Sequence, residues 1–227
     1  ASSMMADPVN GKGILLGGVA GVIPCEVVIL GSNLAACAAA RSAIGQGATV
    51  RMFDDDVYRL RRALRRLGEG VIGSSVHPNA LENAIHTADV VIATSLRCRV
   101  VVDAEGERIM KKGVLVFDLS DEPGKAFPAM ELVDLGEQQP RSPLSGRHYC
   151  HFNVGSAVPR TSAMALSDTF ITMLDDIAGC GACSSAIQLT GGLQKATLTF
   201  LGKAVNRRVA EIAGVRYTDI NLLLSLS

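Results

Sequence analysis

The sequence predicts an α/β fold, a doubly wound parallel sheet followed by a smaller α+β segment, and three observations predict it. From Glu26 to Phe152, short β-branched runs alternate with helical patterns, the order of a parallel sheet covered by helices. One such run, Val27 to Leu30, passes through a glycine turn straight into a helical pattern, as nucleotide-binding sheets of this type do. Beyond residue 160 the pattern changes to one long helix, a short hairpin and a short helix. The expected division is therefore 1–160 and 161–227.

The expected strands are Val27 to Leu30, Thr49 to Phe53, Val71 to Ser74, Val90 to Ala93, Val114 to Asp118 and His148 to Phe152. Between them Leu34 to Ile44, Val57 to Leu67 and Asn79 to Thr87 carry helical periodicity, with Gly45 and Gly68 placed to end helices. Glu122 to Arg147, rich in Pro, Gly, Gln and charge, reads as a long irregular crossing. Thr161 to Ala178 reads as one helix. Leu193 to Val205 reads as a hairpin around Gly202-Lys203, and Asn206 caps a helix that ends at Gly214.

A chain of 227 residues with 48% hydrophobic content can bury a sizeable core without disulfides. Formal net charge is zero and basic residues are dispersed, which argues against nucleic acid or anionic membranes as partners and for small molecules or further copies of the chain. The apolar stretch Val22 to Ala40 is interrupted by Glu26, Gly31 and Asn33 and does not read as a membrane span. The start Ala-Ser-Ser-Met-Met-Ala lacks the basic and apolar regions of a signal peptide, so the expected location is cytoplasmic. Among six cysteines only Cys180 and Cys183 have metal or redox spacing, and no histidine pair complements them; no metal is expected.

Gly31-Ser32-Asn33-Leu34-Ala35-Ala36 stands where a dinucleotide-binding fold places GxGxxG or GxGxxA, but only the first glycine is kept. Asp54, twenty-three residues after Gly31, ends the second strand, where a carboxylate accepts hydrogen bonds from a ribose diol and repels the extra phosphate of NADP. A plain strand-to-helix turn explains the glycine equally well. Asp54, Asp55 and Asp56 also suit an ordinary cap of the helix beginning at Val57.

Two segments carry a family resemblance. Residues 11–22, GKGILLGGVAGV, resemble the GRGVLLGGVPGV that leads into the nucleotide-binding strand of alanine dehydrogenases and related transhydrogenase subunits. Residues 148–162, HYCHFNVGSAVPRTS, resemble the alanine dehydrogenase segment HYCVANMPGAVPRTS. The resemblance implies a Rossmann-type domain that binds NAD, an amino-acid or oxo-acid substrate, and a homo-oligomer whose contacts involve the long helix with Met164, Phe170, Met173 and Leu174. It also implies that residues 161–227 return to a discontinuous substrate domain, whose first segment, with the family's lysine, arginine and histidine, lies upstream.

By the same resemblance Asp54 holds the adenosine ribose, Arg59 lies near the adenine and Asn153 near the nicotinamide. For Arg59 a solvated place among Arg61, Arg62, Arg65 and Arg66 stands as an equal alternative. Residues 117–127, FDLSDEPGKAF, are similar to VDVSIDQGGCF, which carries the catalytic aspartate; without a gap Glu122 falls on it, with one gap Asp121 does. Ser95 and Leu96 fall in the counterpart of the loop GAVLIPGAKAP that lines the cofactor cleft, here shorter and more basic. The implied activity is NAD-dependent oxidative deamination of L-alanine. A transhydrogenase nucleotide-binding subunit and a non-catalytic dinucleotide-binding or oligomerisation module are the alternatives.

Overall fold

Val27 and Ile29 face one side of the first strand, β1 (Glu26–Leu30), and Val28 and Leu30 face the other; all four are buried. A strand apolar on both faces belongs in the middle of a sheet covered on both sides. β1 does lie there. The computed structural model describes residues 1–94, 101–181, 183–189 and 191–225, which divide into two compact units, Ala1–Val158 and Pro159–Ser227.

In the first unit a short helix α1 (Ser2–Ala6) precedes β1, and then α2 (Leu34–Gly45), β2 (Thr49–Asp54), α3 (Val57–Leu67), β3 (Val71–Ser75), α4 (Pro78–Thr87) and β4 (Val90–Ala93) alternate. After α5 (Ala104–Arg108) come β5 (Leu115–Asp118), β6 (Glu131–Asp134) and β7 (Tyr149–Phe152). Among the described residues these seven strands form one parallel sheet in the order β3-β2-β1-β4-β5-β7-β6. Ala36, Cys37 and Ala40 of α2 and Leu60 and Ala63 of α3 cover one face, over Val27, Ile29, Val50 and Met52. Ala84 and Ile85 of α4, with Phe127, cover the other, over Val28, Leu30, Val91 and Val116. Each fully buried aliphatic side chain contributes about 1.5–3 kcal/mol.

The structure corrects the reading of residues 122–147 as wholly irregular, because Glu131–Asp134 forms β6 at the sheet edge, in register with β7 from Glu131 opposite Tyr149 to Asp134 opposite Phe152. Four residues with an acid at each end and one fully buried side chain, Val133, carry too little alternation to announce a strand.

In the second unit α6 (Pro159–Gly179), α7 (Cys183–Leu189) and α8 (Gly191–Ala196) precede the two-residue strands β8 (Thr199–Phe200) and β9 (Lys203–Ala204), then α9 (Arg207–Ala213) and α10 (Ile220–Leu224). The hairpin is shorter than the sequence suggests: residues 193–196 are helical, and the turn is Leu201-Gly202, both at positive φ. Asn206 caps α9, its side chain accepting from the N–H groups of Arg208 and Val209, and Gly214 ends it as expected. Ile187, Val205, Ile220, Leu223 and Leu224 form a separate small core. No helix among the described residues is long and apolar enough to cross a membrane.

Candidate functional site

In a parallel sheet every strand ends on the same edge, so Leu30, Asp54, Ala93, Asp118, Asp134 and Phe152 close their strands side by side. Chain order runs one way from β1 to β2 and the other way from β4 to β5. The crevice between the ends of β1 and β4 is thus the switch point where open α/β sheets bind ligands.

The turn after β1 is tight. Gly31 sits at φ 107°, a backbone that side-chain-bearing residues avoid, and its N–H donates to the Phe53 carbonyl at 2.7 Å. Asn33 keeps an ordinary φ of −74° and caps α2: its Oδ1 accepts from the Ala36 N–H at 2.9 Å. Its Nδ2 donates across the crevice to the Thr94 carbonyl at 2.6 Å, and the Thr94 hydroxyl donates to the Leu30 carbonyl at 3.1 Å. Cys37 N–H bonds back to the Asn33 carbonyl, so Leu34 and Ala35 hold the first-turn N–H groups that α2 cannot satisfy itself. These donors, at the positive end of the helix dipole, suit a phosphate. The Leu34 side chain is exposed.

Asp54 ends β2 with 2% exposure and is engaged on both oxygens. Oδ2 accepts from Ser32 Oγ at 2.6 Å; Oδ1 accepts from the Asp56 N–H and from Arg59 Nη2, each at 2.8 Å. Burial opposes its ionisation, but the hydrogen bonds from Ser32, Asp56 and Arg59 outweigh burial and hold its carboxyl below the usual carboxylate range. Arg59 also bonds Asp55 at 2.8 Å, so it is tied to the acids before α3 and does not share the solvated role of its arginine neighbours. The three aspartates divide their work: Asp56 caps α3 through the N–H groups of Tyr58 and Arg59, while Asp54 faces the turn after β1.

On the far side, Asn153 follows β7 in a left-handed conformation, φ 56°. Its Nδ2 donates to Asp134 Oδ1 at 2.8 Å and its Oδ1 accepts from Ser156 Oγ at 3.0 Å. Asp118, 1% exposed, ends β5 and folds the next loop: Oδ1 accepts from the Ser120 N–H and Oδ2 from the Gly124 N–H, both at 2.9 Å. In that loop Asp121 is exposed and Glu122 pairs with Lys125. Among the described residues, Ser120 Oγ is buried without a hydrogen-bond partner.

Ser95 and Leu96 lie outside the described residues. The structure brings Gly31, Ser32, Asn33, Leu34, Asp54 and Arg59 together around the β1 turn; Asn153, Asp121 and Glu122 lie toward β5 and β7 on the same edge. Sequence reasoning missed three residues here: Thr94, Asp118 and Asp134. Asp118 ends the apolar run 114–117, a signal that marks a strand end as clearly as Asp54 does, whereas Asp134 follows only Leu132 and Val133 and carries no such signal. His148 and His151 are structural. His151 is buried, with Nδ1 on the Val116 carbonyl and Nε2 accepting from the Arg141 N–H, and His148 Nε2 meets the Lys111 carbonyl. Among the described residues, no group of three or more potential ligands could hold a metal ion.

A doubly wound parallel sheet that turns from strand to helix at its switch point, with an acid closing the neighbouring strand, is of the Rossmann type. Residues 1–207 match the family model described as alanine dehydrogenase/PNT, C-terminal domain, and the chain belongs to that family. An alanine dehydrogenase of Mycolicibacterium smegmatis is 33% identical over 221 residues, covering 92% of this chain and 57% of the relative. One from Staphylococcus saprophyticus is 30% identical over 220 residues, covering 95% and 59%. A solved L-alanine dehydrogenase shares the fold with TM-score 0.75 at 24% identity over 94% of this chain and 59% of that one. A transhydrogenase from Sinorhizobium meliloti does so with TM-score 0.55 at 21% identity over 71% and 47%. The chain thus spans less than two thirds of the curated relatives it matches.

Proposed function

We propose that this chain is the NAD-binding portion of an alanine dehydrogenase that converts L-alanine to pyruvate and ammonia, the complete protein supplying the rest of the active site. The observation that carries the reading is the buried Asp54 carboxylate, closing β2 beside the Gly31 turn in a family whose relatives are named alanine dehydrogenases.

The donor set fits a dinucleotide. Leu34 and Ala35 offer N–H groups to a pyrophosphate, and Asp54 Oδ2, which has one hydrogen-bond partner among the described residues, offers a lone pair to a ribose hydroxyl. The orphaned Ser120 hydroxyl gives the nicotinamide side a buried polar atom in need of a partner. Bound NAD would supply the hydride acceptor. The chain's own part is positional: Asp118 shapes the loop bearing Asp121 and Glu122, and Asp134 holds Asn153.

The pairing of Glu122 with Lys125 and the exposure of Asp121 favour a second reading, a dinucleotide-binding module without catalysis. Calorimetric titration with NADH tests the first step. Binding by the wild type, weakened roughly tenfold or more in Asp54→Ala, supports the cofactor site; no binding at millimolar NADH removes it. NADH formation from L-alanine by the complete protein then separates enzyme from module. Self-assembly belongs to the same reading, supported by exposed Met164, Phe170, Met173 and Leu174 on α6. A monomer in sedimentation at assay concentration would remove it.

A further inference from the structure

Asn33 makes two hydrogen bonds, and both stand against a ligand at the switch point. Through Oδ1 it takes the Ala36 N–H, one of the first-turn donors of α2 that would otherwise face a phosphate. Through Nδ2 it reaches the Thr94 carbonyl at 2.6 Å, so its carboxamide spans the gap between the ends of β1 and β4. Gly31 needs its glycine for φ 107°, but Asn33 lies at φ −74°, where any residue is at ease. Backbone geometry therefore does not dictate the residue at 33; what its side chain does is cap α2 and bond Thr94.

We propose that the Asn33 carboxamide is a bar across the nucleotide crevice that an entering dinucleotide displaces, and that residue 33 thereby sets the affinity of the site. This rests on the dinucleotide reading above. Binding breaks the Asn33–Thr94 hydrogen bond and frees the Ala36 N–H for the pyrophosphate. The ligand thus forfeits, from its own binding energy, what the two bonds gave the empty protein. Swinging aside costs Asn33 little elsewhere, because the residue is exposed and its backbone stays as it is.

The test compares wild type with Asn33→Ser and Asn33→Gly in the full chain, titrated by calorimetry with NADH and with ADP-ribose, which has the pyrophosphate but no nicotinamide. Serine keeps the α2 cap but is one atom too short to carry the bridge; glycine removes both at a cost of a few tenths of a kcal/mol. Both variants are expected to bind both ligands roughly three- to tenfold more tightly, the worth of one or two released hydrogen bonds. In 15N spectra of the ligand-free wild type, the Asn33 side-chain NH2 should exchange slowly with solvent, and ADP-ribose should speed that exchange. Equal or weaker binding by a folded Asn33→Ser, with the wild type still binding, overturns the bar and leaves the dinucleotide reading intact. No binding by any of the three proteins overturns both.

Discussion

The Asp134 carboxylate holds the side chain of Asn153. Its Oδ1 accepts from Asn153 Nδ2 at 2.8 Å and from the Gly136 N–H at 2.7 Å, so one oxygen fixes both the carboxamide after β7 and the turn after β6. A Cβ at residue 136 would come within 2.7 Å of Asn153 Nδ2, so any larger residue there would push the carboxamide from its place. Ser156 holds the other end of the carboxamide, so it cannot flip without losing both partners.

Asp134→Ala is expected to free Asn153 and to act only on ligands that reach it. If Asn153 faces the nicotinamide, NADH binding weakens roughly tenfold while ADP-ribose binding is unchanged. Calorimetry with the two ligands checks this; an equal loss for both would mean that Asp134 supports the sheet edge generally.

Asp118 has a structural duty that can be measured without any ligand. Asp118→Ala strips acceptors from the Ser120 and Gly124 N–H groups, and the chain should lose about 2–4 kcal/mol of stability. Urea unfolding followed by circular dichroism reads the loss, and a shift below about 1 kcal/mol would show that the loop finds other partners.

Acid sensitivity is expected from His151. Burial holds it below the ordinary imidazole value of 6.5, and its Nε2 must stay unprotonated to accept the Arg141 N–H. The unfolded chain takes up the proton more readily than the folded one. This contribution is therefore complete above pH 6.5 and is lost as pH falls below it, by up to about 1.4 kcal/mol per unit. Urea midpoints at about pH 7.5 and about pH 5.5 should separate more in the wild type than in His151→Gln, whose side chain does not titrate in that range.

Leu201 stands at φ 47° in the two-residue turn between β8 and β9, a conformation that suits asparagine better than leucine. Leu201→Asn places Asn-Gly in the turn and should stabilise the second unit by about 1 kcal/mol, visible as a raised calorimetric transition. A lowered transition would mean that the Leu201 side chain, 66% exposed, still packs against something that matters.

Long, periodic elements were legible in the sequence, and devices made by distant residues were not. The apolar run Val27–Leu30 and the caps at Asp56 and Asn206 are local, and they fall where spacing places them. Asp54 was readable as a strand-end acid, but its engagement by Ser32 and Arg59 depends on how the chain closes on itself. The same holds for Asn33: its cap on Ala36 lies three residues away, whereas its bond to Thr94 spans sixty-one. β6 was missed because four residues with acidic ends acquire strand character only from β7.

That dependence has a consequence for how the protein is made. Among the described residues β6 pairs only with β7, and β7 is synthesised after it. As the chain leaves the ribosome, residues 131–134 have no ladder to join until residues 149–152 arrive and insert beside β5. The half of the sheet that carries Asp134 and Asn153 therefore completes last. A chain stopped just before β7 would carry the β1 turn and Asp54, but would leave the edge of β5 open to other strands.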